Sequence, residues 1–383
     1  MKIVFMGTPE FAVPSLEKLI ECGCEIPMVV TQPDRRGNRG KVTFSPVKEC
    51  ALQHGLPVAQ PQQIRKDEEF MQELEALEPD FIVVAAFGQL LPERVLNAPK
   101  YDCINVHGSL LPKLRGAAPM QYSILQGDKT TGVTIMKMAK GLDTGDMISK
   151  AEMNIEGMTI HELADKLSAL GAELLVKTIP EIVNGTAVYT PQNEEEHTYA
   201  SMIRKEDGLT DFSGDAVSEE RKIRAYDPWP ALYSFLNGKQ IKFFRAEVSE
   251  EEGTHDGGVI SAVDKKSFTV DCGKGKLRIL EVQLQGKKRM SAGRRRVRGR
   301  SADERRVDYV LRRNGILRLD DCTDSGDDFY HDCPGQNQAG VFQIFSSGEQ
   351  PAPNRCPSGP DDAGCQWAVR RADQHPERRR RFE

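Results

Sequence analysis

Short apolar runs alternate with amphipathic stretches over the first half of the chain. Continuous apolar runs follow Lys2 (KIVFM) and Glu25 (EIPMVV), another begins at Phe81 (FIVVAAF), and a further one ends at Val106. Runs of this kind predict strands that are buried on both faces. Between them, apolar residues recur at every third and fourth position, as in FAVPSLEKLIE and DEEFMQELEAL, which predicts helices. Strands that alternate with helices are typical of a Rossmann-like α/β domain with a mostly parallel sheet.

A longer helical pattern and then a change of period organise the next part of the chain. Apolar residues spaced by three and four run from Thr159 to Gly185, and Thr159 with Glu162 forms a capping-box signal. The acidic, proline-containing stretch TPQNEEEHTY then indicates a linker. Beyond it, short strand patterns joined by turn signals such as Asn237-Gly238 predict a small β-barrel of the oligonucleotide-binding type.

These changes predict four segments. We expect an α/β domain over residues 1–189, a linker over 190–205, a β-barrel domain over 206–292 and a separate tail over 293–383. In the turn AYDPWPA, Trp229 lies between two prolines. We expect its ring to pack at the interface between the two domains, and we prefer core packing to base stacking for it.

The tail differs from the rest of the chain in composition. Residues 291–383 contain 17 Arg and no Lys, whereas 23 Lys and 12 Arg precede them. This switch, without sustained apolar periodicity, predicts a disordered tail that arose through a frameshift or a fusion. The alternative is an Arg-rich tail that binds nucleic acid, but 15 acidic residues leave it a net charge of only +2.

Composition bounds the class of protein. No run approaches the roughly 20 apolar residues of a membrane span. The nine cysteines include no CxxC pair, which is typical of reduced thiols. We therefore expect a cytoplasmic protein with no membrane partner, and separately we expect a monomer. The opening KIVFMGTPEF has only Gly7 where a dinucleotide fingerprint needs three glycines, so we expect no nicotinamide cofactor.

Three polar side chains follow strand patterns closely enough to suggest a site. Asn105 and His107 stand two apart at the end of a predicted strand, so they point to the same face. Asp143 follows the strand-like TGVTIMKMA within GLDTGD, where Gly141 and Gly145 permit a tight turn. Because ligands bind outside the carboxyl ends of strands in open α/β sheets, we expect the three side chains to converge there.

The chemistry of this trio favours direct transfer of a group to an amine. The sequence around it offers no nucleophile flanked by a base, and one His with one Asp is too few ligands for zinc, so we expect no metal. Asn105 and His107 can donate hydrogen bonds to a carbonyl oxygen as it gains negative charge, and His107 can move a proton. Asp143 can hold the imidazole in one tautomer and accept the proton of the amine. The alternative is that Asn105 and His107 are satisfied polar groups at a strand end.

The run NVHGSLLPKLRGAAP, together with the later GLDTGD, resembles the signature of the folate-dependent formyltransferases, and the resemblance covers about residues 1–292. It implies transfer of a formyl group from 10-formyltetrahydrofolate to the amino group of methionine carried by initiator tRNA. It assigns catalysis to Asn105, His107 and Asp143. It assigns folate contact to two loops, with the residues Ser109, Leu110, Leu111, Pro112, Phe87, Gly88, Gln89 and Leu91.

A basic loop follows the second predicted strand. It contains Arg35, Arg36, Arg39 and Lys41 around two glycines, with Lys48 after it. Basic clusters in loops are commonly solvated faces, and the residues alone leave that interpretation level with phosphate contact. Because the formyltransferases that act on tRNA carry a basic insertion here, the resemblance favours tRNA binding by the first four of these residues.

Two other functions stay open at this level. A related formyltransferase could use the same trio on a small amine such as an amino nucleotide sugar. A non-catalytic relative could keep the fold and bind nucleic acid. Residues 1–290 carry 35 basic and 42 acidic side chains, hence a net charge of −7, so any tRNA binding must come from local basic patches.

Overall fold

The computed structural model describes residues 1–36, 42–236, 238–253 and 257–293, together with Phe342–Gln343. All of these residues belong to one compact unit, Met1–Ser346. None of the helices in these ranges combines the length and the apolar character needed to cross a membrane.

A seven-stranded sheet forms the centre of the first half of the chain. The strands described before residue 201 are β1 (Lys2–Gly7), β2 (Glu25–Val30), β3 (Arg35–Arg36), β4 (Val42–Thr43), β5 (Val58–Ala59), β6 (Phe81–Ala85), β7 (Asp102–His107), β8 (Arg115–Gly116), β9 (Thr130–Lys137), β10 (Met147–Asn154) and β11 (Tyr199–Ala200). The sheet order is β10-β9-β7-β6-β1-β2-β5. The five strands from β7 to β5 are parallel, β9 runs antiparallel to β7, and β10 runs antiparallel to β9 and so has the direction of the other five. The predicted mostly parallel sheet is confirmed.

Helices cover both faces of this sheet. They are α1 (Val13–Glu21), α2 (Pro46–Gln53), α3 (Glu68–Ala76), α4 (Glu93–Leu96), α5 (Pro119–Gln126) and α6 (Ile160–Val183), with 3₁₀ turns at Glu10–Ala12 and Ile64–Lys66; α7 (Ala216–Tyr226) and the 3₁₀ turn Glu206–Gly208 belong to the second part of the chain. Ile3 and Phe5 of β1 pack in the core that includes α1 and α6, whereas Val4 and Met6 pack in the core that includes α3 and α4. Burial on both faces explains why these strands are continuous apolar runs.

Helix α6 lies close behind the strand that carries the candidate site. Its N-terminus has the predicted capping box, in which Thr159 Oγ1 accepts from Glu162 N and Glu162 Oε2 accepts from Thr159 N. Farther along the helix, a Cβ added at Gly171 would stand 2.7 Å from Cγ1 of Val106. Only glycine therefore allows α6 to approach β7 at this distance, and the contact fixes the strand from behind.

The second part of the chain is an antiparallel sheet. Its strands are β12 (Leu232–Leu236), β13 (Lys239–Ser249), β14 (Val259–Val263), β15 (Phe268–Asp271), β16 (Lys276–Leu284), β17 (Met290–Ser291) and β18 (Phe342–Gln343). Their order is β12-β13-β16-β15-β14-β18, with β17 beside β16. The predicted hairpin forms between β12 and β13, with Gly238 at φ 73°, while Asn237 lies outside the described residues. Within the described strands no pairing closes the sheet, so the predicted barrel is a half-barrel, with α7 packed against β13 and β16.

The prediction for Trp229 is wrong. Its side chain is 59% exposed, whereas Tyr226 and Leu232 on either side of the turn are buried. The buried positions at the junction of α7 and β12 are held by these two residues together with Ala231, while the indole lies on the surface.

Most of the tail predicted for residues 293–383 lies outside the described residues. The exception within it, besides Gly293, is the short strand β18, which pairs antiparallel with β14 through Phe342 and Gln343.

Candidate active site

The candidate site lies at the carboxyl end of β7. Strands β6 and β7 pair in parallel with Val84 opposite Asn105, and β7 pairs with β9 through His107 and Thr134. The chain places β2 on one side of β1 and β6 on the other, so the sheet order reverses between β1 and β6. Crevices at such reversals are the common ligand sites of open α/β sheets. The loops that follow β1 and β6 meet there, because Thr8 Oγ1 donates to the carbonyl oxygen of Phe87 at 3.0 Å.

The imidazole of His107 has two distinct neighbours. Its Nε2 lies 3.0 Å from the carbonyl oxygen of Leu114, and its Nδ1 lies 3.7 Å from Oδ1 of Asp143. Because a carbonyl oxygen can only accept, Nε2 carries a proton. The carbonyl of Leu114 therefore makes the hydrogen bond that fixes the tautomer, a role that the sequence assigns to Asp143. The nitrogen that faces Asp143 is Nδ1.

Leu114 holds this carbonyl in an uncommon backbone conformation. Its φ is +60°, in the left-handed region that non-glycine residues rarely occupy. Neighbouring groups fix it there, since its N–H donates to Thr198 Oγ1 at 2.9 Å and Ser109 Oγ donates to Lys113 O at 2.8 Å. The tautomer of His107 thus depends on a residue 84 positions away from Leu114 along the chain.

Asp143 is held in a similar way. Its φ is +51°, a conformation that costs roughly 1–2 kcal/mol for a residue with a Cβ. Its Oδ2 accepts a hydrogen bond from the backbone N–H of Gly116 at 2.8 Å, which leaves Oδ1 facing His107. The predicted tight turn is present, since a Cβ at Gly145 would stand 1.8 Å from the carbonyl oxygen of Lys137.

Asn105 differs from its neighbours because its polar group is unused. The residue is 8% exposed, yet its side-chain amide makes no hydrogen bond to any residue that the structure describes. Among the described residues, the side-chain atoms that are fully buried without a partner belong to Ser15 and Ser234, so the amide of Asn105 is accessible and can exchange water for a ligand atom. An amide left unpaired on the same strand face as His107 is placed to bind a ligand atom.

The structure separates the predicted folate contacts into two groups. The hydroxyl of Ser109 and the amide N–H of Leu111 make hydrogen bonds within the protein, to Lys113 O and Thr134 Oγ1 respectively. Leu110 and Pro112 are half-buried and remain accessible. The first group shapes the loop, and the second can contact a ligand directly.

The loop from Phe87 to Leu91 shows the same division. The side chains of Phe87 and Leu91 are buried in the core, and the amide of Gln89 accepts from Ile64 N at 2.9 Å and donates to Pro61 O at 3.1 Å. Gly88, at φ 89°, is exposed. The backbone of this loop is accessible, while its large side chains and the Gln89 amide are committed to the protein.

Part of the predicted basic loop is described. Arg35 and Arg36 form β3, which pairs with β4 as a two-stranded ribbon, while Arg39 and Lys41 lie outside the described residues. Lys48 makes an ion pair with Asp34 at 2.5 Å, and its Nζ also lies 2.7 Å from Oε1 of Gln60. Its charge is therefore neutralised at the base of the loop.

The sequence did not predict a buried arginine behind the site. Arg115 is fully buried; its Nε donates to Gln192 Oε1 at 2.8 Å, and its guanidinium makes two hydrogen bonds to Glu194. This pairing holds the pKa of the Glu194 carboxyl below its usual range. The signal that could have found it is an Arg inside a Gly- and Pro-rich loop followed by an acidic stretch, because a buried guanidinium requires acceptors.

Within the described ranges, one group of potential metal ligands occurs, and it lies outside the candidate site. Atoms of Glu17, Cys50 and His54 lie within 4.8 Å of one another. Burial raises the pKa of the Cys50 thiol, which opposes the thiolate that zinc binds. This group lies on α1, on α2 and at the C-cap of α2, on none of the loops that carry the candidate site.

Comparison with known proteins gives consistent matches. The family model described as Formyl transferase matches residues 1–179, and that described as Formyl transferase, C-terminal domain, matches residues 202–295. The methionyl-tRNA formyltransferase of Agathobacter rectalis is 50% identical over 295 residues, which are 76% of this chain and 95% of that protein. The methionyl-tRNA formyltransferase of Bacillus subtilis is 50% identical over 292 residues, which are 76% of this chain and 92% of that protein.

Solved structures share the fold at low sequence identity. An N-formyltransferase from Helicobacter canadensis, solved with folinic acid and dTDP-3-aminofucose, has a TM-score of 0.57 at 20% identity, covering 74% of this chain and 100% of that one. HypX from Aquifex aeolicus in complex with tetrahydrofolic acid has a TM-score of 0.52 at 18% identity, and the match covers 76% of this chain and 46% of that one.

The family models also define where the resemblance ends. Neither extends past residue 295, so the predicted mismatch of the tail is confirmed. The identity of close to one half over nearly the whole length of the curated relatives is decisive: the chain belongs to the methionyl-tRNA formyltransferase family.

Proposed function

We propose that this chain transfers the formyl group of 10-formyltetrahydrofolate to the amino group of methionine on initiator tRNA, in the cytoplasm, for translation initiation. The observation that carries the proposal is the unpaired amide of Asn105 on the strand face that also bears His107, opposite Asp143. A formyl carbonyl oxygen needs such a donor when it becomes an oxyanion. The family membership of the chain supports the identity of both substrates.

In the proposed reaction the amino nitrogen of methionine attacks the formyl carbon. The new C–N bond forms while the carbonyl oxygen takes up negative charge, which Asn105 and a proton on Nδ1 of His107 stabilise. Asp143 accepts the proton that the amine sheds. The bond from the formyl carbon to N10 of the folate then breaks, and the released nitrogen takes a proton relayed by His107.

The other assignments follow from the same placement. We propose that residues 1–189 carry the chemistry and residues 206–292 contribute to tRNA binding, joined by residues 190–205. Folate would be held by the loop Ser109, Leu110, Leu111 and Pro112 and by the loop containing Phe87, Gly88, Gln89 and Leu91. In both loops the accessible backbone and the half-buried Leu110 and Pro112 are the parts available for contact.

The proposal is tested by supplying alternative acceptors with 10-formyltetrahydrofolate. We expect formyl-methionyl-tRNA to accumulate, and no transfer to N-acetylmethionyl-tRNA, whose amine is blocked, or to a dTDP-linked amino sugar. A chain ending at Gly293 should show whether residues 294–383 are needed for transfer. Transfer to the amino sugar and none to the tRNA would overturn the proposal and favour a sugar formyltransferase.

A second prediction of the proposal is that Arg35 and Arg36 contribute to tRNA binding. We expect Arg35→Glu with Arg36→Glu to raise KM for methionyl-tRNA about tenfold, because two contacts to phosphate are lost. Each lost contact should also make the plot of log affinity against log salt concentration less steep, by about 0.7–0.9 in slope. The turnover number at saturating tRNA should stay within about twofold, since uniform binding does not enter kcat. Initial rates at several salt concentrations measure both quantities.

The control for these variants has the same change of charge elsewhere. Lys166→Glu with Lys177→Glu alters two exposed residues of α6. If this pair raises KM as much as the β3 variants do, tRNA responds to net charge alone and the assignment of the basic loop fails.

A further inference from the structure

The segment predicted as a linker folds back against the loops of the candidate site. Its residues Tyr199–Ala200 form β11, which pairs in parallel with β8, Arg115–Gly116. The approach is close, since a Cβ added at Gly116 would stand 2.7 Å from the carbonyl oxygen of Ala200. The carbonyl of Thr198 also accepts from the N–H of Arg115 at 2.8 Å. The linker is therefore part of the wall behind the site.

Within this segment, Gln192 makes three hydrogen bonds that join two loops. Its Nε2 donates to the backbone carbonyl oxygens of Asp143, at 2.8 Å, and Gly145, at 2.7 Å. Its Oε1 accepts from Nε of Arg115 at 2.8 Å. The orientation of the amide is unambiguous, because the arginine can only donate and the two carbonyls can only accept. One side chain thus fixes the turn that carries Asp143.

The Asp143 turn needs such a constraint. Asp143 is in the left-handed region, and the following Gly145 lies against the backbone of Lys137 with no space for a Cβ. Conformations of this kind persist only where surrounding contacts over-determine them. The side chain of Asp143 supplies one contact, through Gly116, and Gln192 supplies two through the backbone.

We propose that Gln192 is a positioning residue for the Asp143 carboxylate: by bridging Arg115 to the backbone of the Asp143 turn, it keeps Oδ1 facing Nδ1 of His107. This inference rests on the proposed formyl transfer. Gln192 touches no reacting atom in this account, and it acts only through the placement of Asp143.

The informative substitution is Gln192→Glu. The new carboxylate keeps an acceptor for Arg115, so the buried guanidinium stays paired, but it turns an oxygen towards two carbonyl oxygens. The turn should loosen while the fold survives. We expect kcat for formyl transfer to fall about 10–100-fold, the size of effect that misplacement of a catalytic group by about 1 Å produces, with KM for methionyl-tRNA unchanged within about threefold.

Two further variants keep the test decisive. Gln192→Asn retains the amide but is one methylene shorter, so it cannot span from Arg115 to both carbonyls, and it should lower kcat similarly. The matched control is Asn193→Asp, which makes the same change from amide to acid at the neighbouring exposed residue, whose amide donates to Glu196 and accepts from the backbone N–H of Glu195. The control should leave kcat within about twofold, and thermal unfolding of all three variants identifies any that lose the fold.

A double-mutant cycle separates positioning from a general structural role. If Gln192 acts only through Asp143, Gln192→Glu should have little further effect on the residual rate of Asp143→Asn. An unchanged kcat in both Gln192 variants, or equal losses with and without the Asp143 substitution, would overturn the inference. An original chain that transfers no formyl group would instead overturn the proposed function, which keeps the two failures distinct.

Discussion

Asn105→Ala should lower kcat for formyl transfer by about 10²–10³, the usual cost of removing one hydrogen-bond donor from an oxyanion. The amide of Asn105 makes no hydrogen bond within the described part of the chain, so its removal breaks no hydrogen bond between described residues of the resting protein. The fold should therefore remain intact, and the loss should come almost entirely from the transition state. Steady-state kinetics at saturating folate, with KM for methionyl-tRNA measured in parallel, test this split.

The comparison for Asn105→Ala is Asn184→Ala at the exposed C-cap of α6, which removes the same side chain away from the site. We expect this variant to transfer the formyl group at nearly the original rate. A variant at Asn105 that raised KM for methionyl-tRNA and kept kcat would show that the amide binds the ground state, and its role as an oxyanion donor would be lost.

Local patterns predicted the scaffold of the site successfully. Strands β1 and β6 are buried on both faces, so their sequences contain uninterrupted apolar runs that differ from the alternating pattern of surface strands. The capping box of α6 joins Thr159 to a residue three positions away, and both members are visible in one short window. Alternation along β7 likewise placed Asn105 and His107 on one face before any coordinates were considered.

Contacts between distant segments could not be predicted in this way. Gln192 contacts Arg115 although the two residues are 77 positions apart, and the sequence around neither residue indicates that the other is its partner. Leu114 adopts a positive φ although leucine gives no sign of it, and this turn of the backbone decides which nitrogen of His107 carries the fixed proton. Trp229 was misplaced for the same reason, because its burial depends on which neighbours fill the junction between α7 and β12.

Asp143→Asn should reduce kcat further, on the order of 10³–10⁴, through the protonation of His107. The N–H of Gly116 requires an acceptor, so the amide oxygen of the new Asn would take that position. Its NH₂ group would then face Nδ1 of His107 and donate to it. Since Nε2 already donates to the carbonyl of Leu114, the imidazole would be locked neutral, with neither nitrogen able to give up or receive a proton.

The matched control for Asp143→Asn is Asp165→Asn on the exposed face of α6, which removes one negative charge at a distance from the site. Single-turnover rates with pre-bound folate and methionyl-tRNA isolate the chemical step in both variants. A rate for Asp143→Asn within tenfold of the original would mean that the carboxylate neither accepts the proton of the amine nor supports the proton on Nδ1. In that case the proton of the amine would have to leave through His107 alone. The carboxylate, whose Oδ1 lies 3.7 Å from Nδ1, would then serve only to orient the imidazole.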